Sequence, residues 1–406
     1  MKKVYIIGLG IGDLDYMHKK ASDILEECDC LIGAKRMLKD FQGLNKPIYE
    51  SSNAEDICVY ISQGEHNNYG VLVSGDSGFY SLSKKVTELL EKKDDVKVEN
   101  IPAISSLQYF ASRLNLPWDD IKYVSAHGRN LNIISNVIFN KKTFILTSSD
   151  FSPNIICEIL TNKGLGHLKV SVGENLSYDN ERIIEDRAEV IAEMKFEGLS
   201  VMIVHNDDFI SIDEAHNSIK DEEFVTGKAP MTKSEVRTIS IGKLKLKSDY
   251  IVYDIGAGTG SISVEAALKL YNGTLYAVEK DEEAAALIEK NIKKFKTYNI
   301  EVIKGTAPET IENIPSPDAC FIGGSNGNMD NIINAVLKKN PHVNVVINTI
   351  TLQSLNEAIN CMEKYKFKDV EIVNVSVAKS KKIGNYDLMM GQNPIFIISG
   401  KGSGLL

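Results

Sequence analysis

A strand-like run, Tyr250-Ile251-Val252-Tyr253-Asp254, leads into a three-glycine turn, Gly256-Ala257-Gly258-Thr259-Gly260, and on into a helix-compatible stretch over 261–271. Strand, glycine turn and helix in that order describe an α/β layer whose turn faces a ligand. Glycines let the backbone turn tightly and approach a ligand without Cβ obstruction, and the following helix offers unpaired N–H groups. A second apolar strand, 274–278, delivers Glu279 about 20 residues after the glycines, where a carboxylate can grip ribose hydroxyls. The pattern is that of a nucleotide-type cofactor site.

Spacing narrows the cofactor. A dinucleotide fold uses G-x-G-x-x-G, whereas Gly256-x-Gly258-x-Gly260 here follows an acidic residue and lacks the Lys-Ser/Thr of a phosphate loop. D-x-G-x-G-x-G followed by an acidic strand end resembles the S-adenosylmethionine site of class I methyltransferases. That cofactor has no phosphate, so close backbone approach matters more than an anion cradle, and Asp254 can face its ammonium. An NAD site and a glycine turn without a ligand are the alternatives.

At 406 residues the chain exceeds one typical core, and two domains are expected. Its 43% hydrophobic and 25% charged content is that of a globular protein. No apolar run approaches the ~20 residues that span a bilayer. The opening Val4-Tyr5-Ile6-Ile7 turns too soon into Gly8-Leu9-Gly10 to be a signal peptide, and reads as a buried strand of a cytoplasmic protein with no membrane partner. Cys28, Cys30, Cys58, Cys157, Cys320 and Cys361 are scattered without a C-x-x-C pair, favouring reduced structural thiols and no metal site. A net charge of −9 argues against nucleic acid as the main partner.

Strand patterns at 3–7, 30–32, 70–73, 96–101, 122–125, 143–146, 169–172 and 200–204 alternate with helical ones, which predicts α/β layers around a largely parallel sheet. A polar, acidic stretch at 206–229 is the expected linker. Beyond it, seven strand patterns (251–253, 274–278, 300–304, 319–322, 343–348, 370–377, 395–399) restart the alternation. The expected domains are therefore 1–205 and 230–406.

Three further segments sharpen the second half: Pro230-Met231-Thr232-Lys233-Ser234-Glu235-Val236-Arg237, Gly305-Thr306-Ala307-Pro308-Glu309, and Phe321-Ile322-Gly323-Gly324-Ser325-Asn326-Gly327. With the glycine turn, and in this order, they resemble the C-15 methyltransferases and decarboxylases of corrin (cobalamin ring) synthesis. The resemblance implies a class I Rossmann-like methyltransferase with a seven-stranded sheet whose last strand enters antiparallel. It places Thr232, Asp254, Gly256, Ala257, Gly258, Thr259, Gly260, Glu279, Thr306 and Ala307 on S-adenosylmethionine. Lys233, Arg237, Gly323 and Gly324 would meet an anionic substrate, and Asn326 is a candidate catalytic residue.

In the first half, Gly8-Leu9-Gly10-Ile11-Gly12-Asp13 lacks the acidic strand end of a dinucleotide site. Together with Ser74-Gly75-Asp76-Ser77-Gly78-Phe79-Tyr80, Ile101-Pro102-Ala103-Ile104-Ser105-Ser106, Leu116-Pro117-Trp118-Asp119-Asp120 and Ser125-Ala126-His127-Gly128-Arg129, it resembles the two-lobed tetrapyrrole methylases (class III methyltransferases), most closely the corrin C-5 enzymes. By that resemblance Gly10, Gly75, Asp76, Ser77, Ser105 and Ser106 bind a second S-adenosylmethionine. Ser77 stands where the family has proline, loosening a turn. Ala103 stands where it has glycine, placing a Cβ where a positive φ would be needed. His127 is a candidate general acid or base. Arg129, Arg113, Lys35 and Arg36 are candidate carboxylate clamps.

The fusion resembles the bifunctional corrin-ring methyltransferases. That resemblance implies methylation of a precorrin at C-5 and C-15 with loss of the C-12 acetate carboxyl, one S-adenosylmethionine per domain, and a homo-oligomer. The substrate carries its own nucleophile, which explains why no nucleophile motif appears. Cobalt-containing and metal-free precorrins are both open as substrates. A methyltransferase of RNA or protein is the remoter alternative, which predicts a basic face with aromatic platforms.

Overall fold

A computed structural model describes residues 1–126, 132–215 and 218–404. The chain forms two compact units, Met1–Arg129 with Lys142–His205, and Asn130–Lys141 with Asn206–Leu406.

The first unit holds two five-stranded sheets. Strands β1 (Lys2–Gly8), β2 (Cys30–Gly33), β3 (Ile48–Glu50), β4 (Asn68–Val73) and β5 (Val96–Ile101) pair in parallel, in the order β3-β2-β4-β1-β5. The apolar runs of β1, β2 and β4 are near-continuous because both faces are covered, and β1 buries Val4 and Ile6 on one side and Tyr5 and Ile7 on the other. The second sheet is mixed: β6 (Lys122–Ser125), β7 (Lys142–Leu146), β8 (Lys169–Glu174), β9 (Arg182–Arg187) and β10 (Ser200–His205), in the order β6-β7-β10-β8-β9. Strands β3 and β9 had no clear signature. One is three residues long, and the other is a mostly exposed edge strand carrying two isoleucines between charges.

The second unit is a seven-stranded sheet. Strands β11 (Ile251–Ile255), β12 (Thr274–Glu279), β13 (Ile300–Lys304), β14 (Ala319–Ile322) and β15 (Asn344–Thr349) are parallel. Strand β16 (Lys368–Val375) leads through a hairpin, β17 (Ala378–Ile383) and β18 (Tyr386–Gly391), to the last strand, β19 (Ile395–Lys401). That strand inserts antiparallel between β15 and β16, giving the order β13-β12-β11-β14-β15-β19-β16, as expected of the class I sheet.

Residues 132–141 depart from the first unit and pack in the second. Asn132 caps the helix Ile133–Ile138, all six residues of which are buried. Its side-chain amide donates to the Gly273 carbonyl and the Thr274 hydroxyl, both at 2.7 Å. The Ser135 hydroxyl donates to the same carbonyl at 2.8 Å, and Phe139 meets Tyr271 edge-on at 5.2 Å. Residues 206–229, read above as a linker, also pack here where described. The Ile210 amide donates to the Ile138 carbonyl, and Phe224 is buried against Phe295.

Candidate active sites

In the second unit the turns after β11, β12 and β14 surround a cavity of about 470 Å³. Two of its glycines are required by geometry. Gly256 has φ +71°, and a Cβ there would lie 2.7 Å from the Gly324 carbonyl oxygen. Gly258 has φ +57°, and its Cβ would lie 2.7 Å from the Pro230 oxygen. At the end of β12, Glu279 is held by two backbone donors: Gly258 N–H at 2.8 Å and Asp281 N–H at 3.0 Å. A buried carboxylate fixed in this way faces the cavity with its rotamer already selected, a preorganisation that favours ligand binding.

Gly256, Gly258, Glu279, Thr306, Ala307, Gly323, Gly324 and Asn326 all line this cavity, with Asn326 in the left-handed region at φ +53°. Ala257, Thr259 and Gly260 belong to the same turn behind the wall. The Thr259 carbonyl accepts from Asn291, and Gly260 heads the helix Ser261–Ala267. Thr232 contributes its carbonyl to Arg237 and Ser261 and is not part of the wall.

Two expectations need correction. Asp254 does not face a ligand ammonium: its side chain is 1% exposed beneath the wall, bonded by the Ser263 hydroxyl. Burial pushes its carboxyl up to about 7, against the pull of that hydroxyl, with Glu279 adding to the rise. Arg237 does not meet substrate either. It is fully buried, and its guanidinium is consumed by Glu265, Asp221 and the carbonyls of Thr232 and Ile219. Lys233 is exposed at the start of the helix Ser234–Leu244.

Other wall residues carried little signal. Lys228, Ala229 and Pro230 lie in the stretch taken as the end of the linker and the start of a helix. Asp281, which also caps the helix Glu282–Phe295, could have been found as an N-cap directly after the strand-end acid.

In the first unit a cavity of about 340 Å³ is lined by Gly10, Gly75 and Ser106, together with Arg36, Tyr80 and Tyr178. Gly10 and Gly75, both at positive φ, exchange backbone hydrogen bonds at 3.2 and 2.8 Å. Asp76 stands one layer back, accepting from the Gly78 amide at 2.8 Å and the Ala103 amide at 2.9 Å, and so ties two cavity loops together. Ser105 forms a capping box with Gln108 at the start of the helix Ser106–Arg113, and Ser77 is buried. The expected strain at Ala103 is absent, since its φ is not positive. Its methyl is accommodated because Gly8 has none: a Cβ on Gly8 would sit 2.9 Å from it. Arg113 is committed to Glu181 at 2.8–2.9 Å, whereas Arg36 reaches the cavity. His127 and Arg129 lie outside the described residues.

Each unit thus has a glycine-walled cavity with apolar and hydrogen-bonding surface. In the second unit, glycines that a Cβ would block and a buried, fixed carboxylate fit S-adenosylmethionine. Residues 223–400 match the family described as "Precorrin methyltransferase domain", and residues 3–192 match "Tetrapyrrole (Corrin/Porphyrin) Methylases". The probable cobalt-precorrin-6B C(15)-methyltransferase (decarboxylating) of Saccharolobus solfataricus is 42% identical over 188 residues, 45% of this chain and 91% of the relative. The protein of the same description from Methanococcus maripaludis is 39% identical over 182 residues, 45% of this chain and 97% of the relative. The precorrin-6Y C(5,15)-methyltransferase (decarboxylating) of a Sinorhizobium species is 26% identical over 398 residues, 96% of this chain and 93% of the relative. With both halves matched in this order, the chain belongs to the precorrin methyltransferases, a tetrapyrrole methylase joined to a precorrin methyltransferase domain.

Proposed function

We propose that the first unit methylates a precorrin at C-5 and that the second methylates it at C-15, with loss of the C-12 acetate carboxyl. The observation that carries this reading is the pair of separate glycine-walled cavities, one in each matched domain, in a chain that a C(5,15) enzyme matches over 96% of its length. S-Adenosylmethionine, when bound, supplies an electrophilic methyl group. That chemistry would suit an electron-rich meso carbon of the macrocycle, with S-adenosylhomocysteine as the leaving group, so the chain must position the partners, exclude water and receive the proton the carbon loses. In the second unit Glu279 holds the ribose end and the backbone at Gly256 and Gly258 allows close approach. Gly323, Gly324 and Asn326 line the same cavity, where Gly323 and Gly324 would meet the macrocycle and the Asn326 amide would orient it. Protonation of the ring gives an electron sink into which a desolvated acetate releases CO₂.

The test is incubation of the full chain with methyl-labelled S-adenosylmethionine and either cobalt or metal-free precorrin. Two labels incorporated and CO₂ released are expected, and absence of CO₂ release from both substrates would sink the C-15 assignment. The two incubations also decide which form of the ring is accepted.

The reading includes a homo-oligomer. The hairpin β17–β18 exposes Ile383, Tyr386, Leu388, Met389 and Met390, and a two-stranded hairpin is only marginally stable on its own in water. Light scattering of the wild type against Tyr386→Asp/Met389→Asp tests it: the wild type runs above monomer mass and the variant falls to it. The six buried unpaired thiols suit a reducing cytoplasm, and no described helix is long and apolar enough to cross a membrane.

A further inference from the structure

Phe79 and Tyr80 are adjacent in the first unit yet treated differently by the fold. Phe79 packs against the core of the second sheet and lies 6.2 Å from the Phe144 ring. Tyr80 has φ +47° and a side chain 55% exposed, and is the one aromatic residue at positive φ among those described. A bulky residue in this region is strained, and such strain persists where the surroundings impose it, most often at ligand clamps. Both rings line the cavity that holds Gly10 and Gly75, and Tyr80 is the more exposed of the two. Tyr123, 52% exposed, stands edge-on to Tyr80 at 6.3 Å and to Phe79 at 5.4 Å, so the Tyr80 ring is braced by a neighbouring ring.

The same ring borders a second hollow, lined also by Ser77, Ser81 and Lys84. Arg36 lies on the wall of the first cavity. Tyr80 thus borders two hollows, one carrying Arg36 and Asp40 and the other Lys84, Glu88 and a row of hydroxyls, a setting suited to a flat conjugated ring with anionic arms at its rim. We propose that Tyr80, braced by Tyr123, is the surface against which the macrocycle lies for the C-5 step, and that Lys84 receives one of its carboxylate arms. This rests on the C-5 reading of the first unit. Tyr80 and Lys84 are substrate-holding groups, and neither is asked to move a proton.

The full chain offers an internal control, because C-15 methylation on the same molecule does not use this surface. The readouts are KM and kcat for each methylation, resolved by the position of the label, and S-adenosylhomocysteine binding by calorimetry. Tyr80→Leu should raise the substrate KM of the C-5 step roughly 5- to 150-fold, the range expected for loss of an aromatic stacking surface. Tyr80→Phe, which keeps the ring, should return KM towards the wild type. Tyr80→Gly removes the strain and the ring together, so its KM should rise while its melting temperature holds or increases. Lys84→Gln should raise the C-5 KM with little change in kcat, and weaken its dependence on salt. An unchanged C-5 KM in Tyr80→Leu would overturn the inference, as would an equal loss of S-adenosylhomocysteine binding, which would mark Tyr80 as structural. A wild type that adds no label at C-5 would instead overturn the C-5 reading itself.

Discussion

Arg237 Nε donates to a carboxylate oxygen of Glu265 at 2.6 Å, with the arginine wholly buried and the glutamate nearly so. The same guanidinium reaches Asp221 at 3.2 Å and the Thr232 carbonyl at 2.7 Å, and stacks over Phe224 at 4.8 Å. One side chain thereby fixes the segment that begins at the cavity wall residue Pro230. Arg237→Met should destabilise the second unit by about 3–5 kcal/mol, because the buried Glu265 loses its counter-charge and Asp221 is left with Lys379 at 3.8 Å. Arg237→Lys should recover little, since one ammonium cannot reproduce the planar fork. Thermal unfolding of both variants checks this, and wild-type melting of either would refute it.

The glycine turn itself fixes the Glu279 carboxylate, to which the Gly258 N–H donates at 2.8 Å. Glu279→Ala should weaken S-adenosylhomocysteine binding in the second unit by about 10- to 150-fold, corresponding to hydrogen bonds to a charged group of ~1.5–3 kcal/mol. Calorimetry should show two binding events reduced to one tight event, with C-5 labelling retained. Loss of both binding events would contradict the independence of the two cavities.

Substitution of Gly258 by alanine tests the wall by shape alone. The new methyl would require φ +57° and would meet the Pro230 oxygen at 2.7 Å. Gly258→Ala should abolish C-15 methylation and CO₂ release while leaving C-5 methylation intact, as label positions would show.

Asp254 sets a pH dependence. Its carboxyl is raised from 3.8 to about 7 in the folded chain, so the folded state binds the proton more tightly than the unfolded one. The associated stability is complete below the unfolded value and is lost as pH rises through about 7. Asp254→Asn should remove that decline and make the second unit more stable than the wild type at pH 8, but not at pH 4. Unfolding midpoints across this range test it, and identical slopes for the two proteins would refute it.

What could be read in advance was local. The glycine turn, the strand-end Glu279 and all seven strands of the second sheet are encoded in contiguous residues, so pattern and spacing revealed them. The hairpin β17–β18 was hidden because its residues are almost all exposed, leaving no inside–outside alternation to detect. Arg237 was correctly read as a carboxylate binder and assigned the wrong carboxylates. Its partners lie 16 and 28 residues away, and a charge on a helix carries no mark of burial. Asp254 was placed on the right turn, but which side of a wall a strand-end acid occupies is decided by the Ser263 helix packed on it.

The excursion of residues 132–141 bears on how such a fusion could be divided. The polypeptide passes from one unit to the other after Arg129, returns after Lys141 and passes again after His205. A protease or a gene split acting once near 205 would leave the later fragment without its buried helix and the earlier fragment with a hydrophobic peptide unsheathed. The surface at Tyr271, Gly273 and Thr274 would then lie open, and a fragment of this chain starting at 206 would be expected to aggregate unless residues 132–141 were supplied to it.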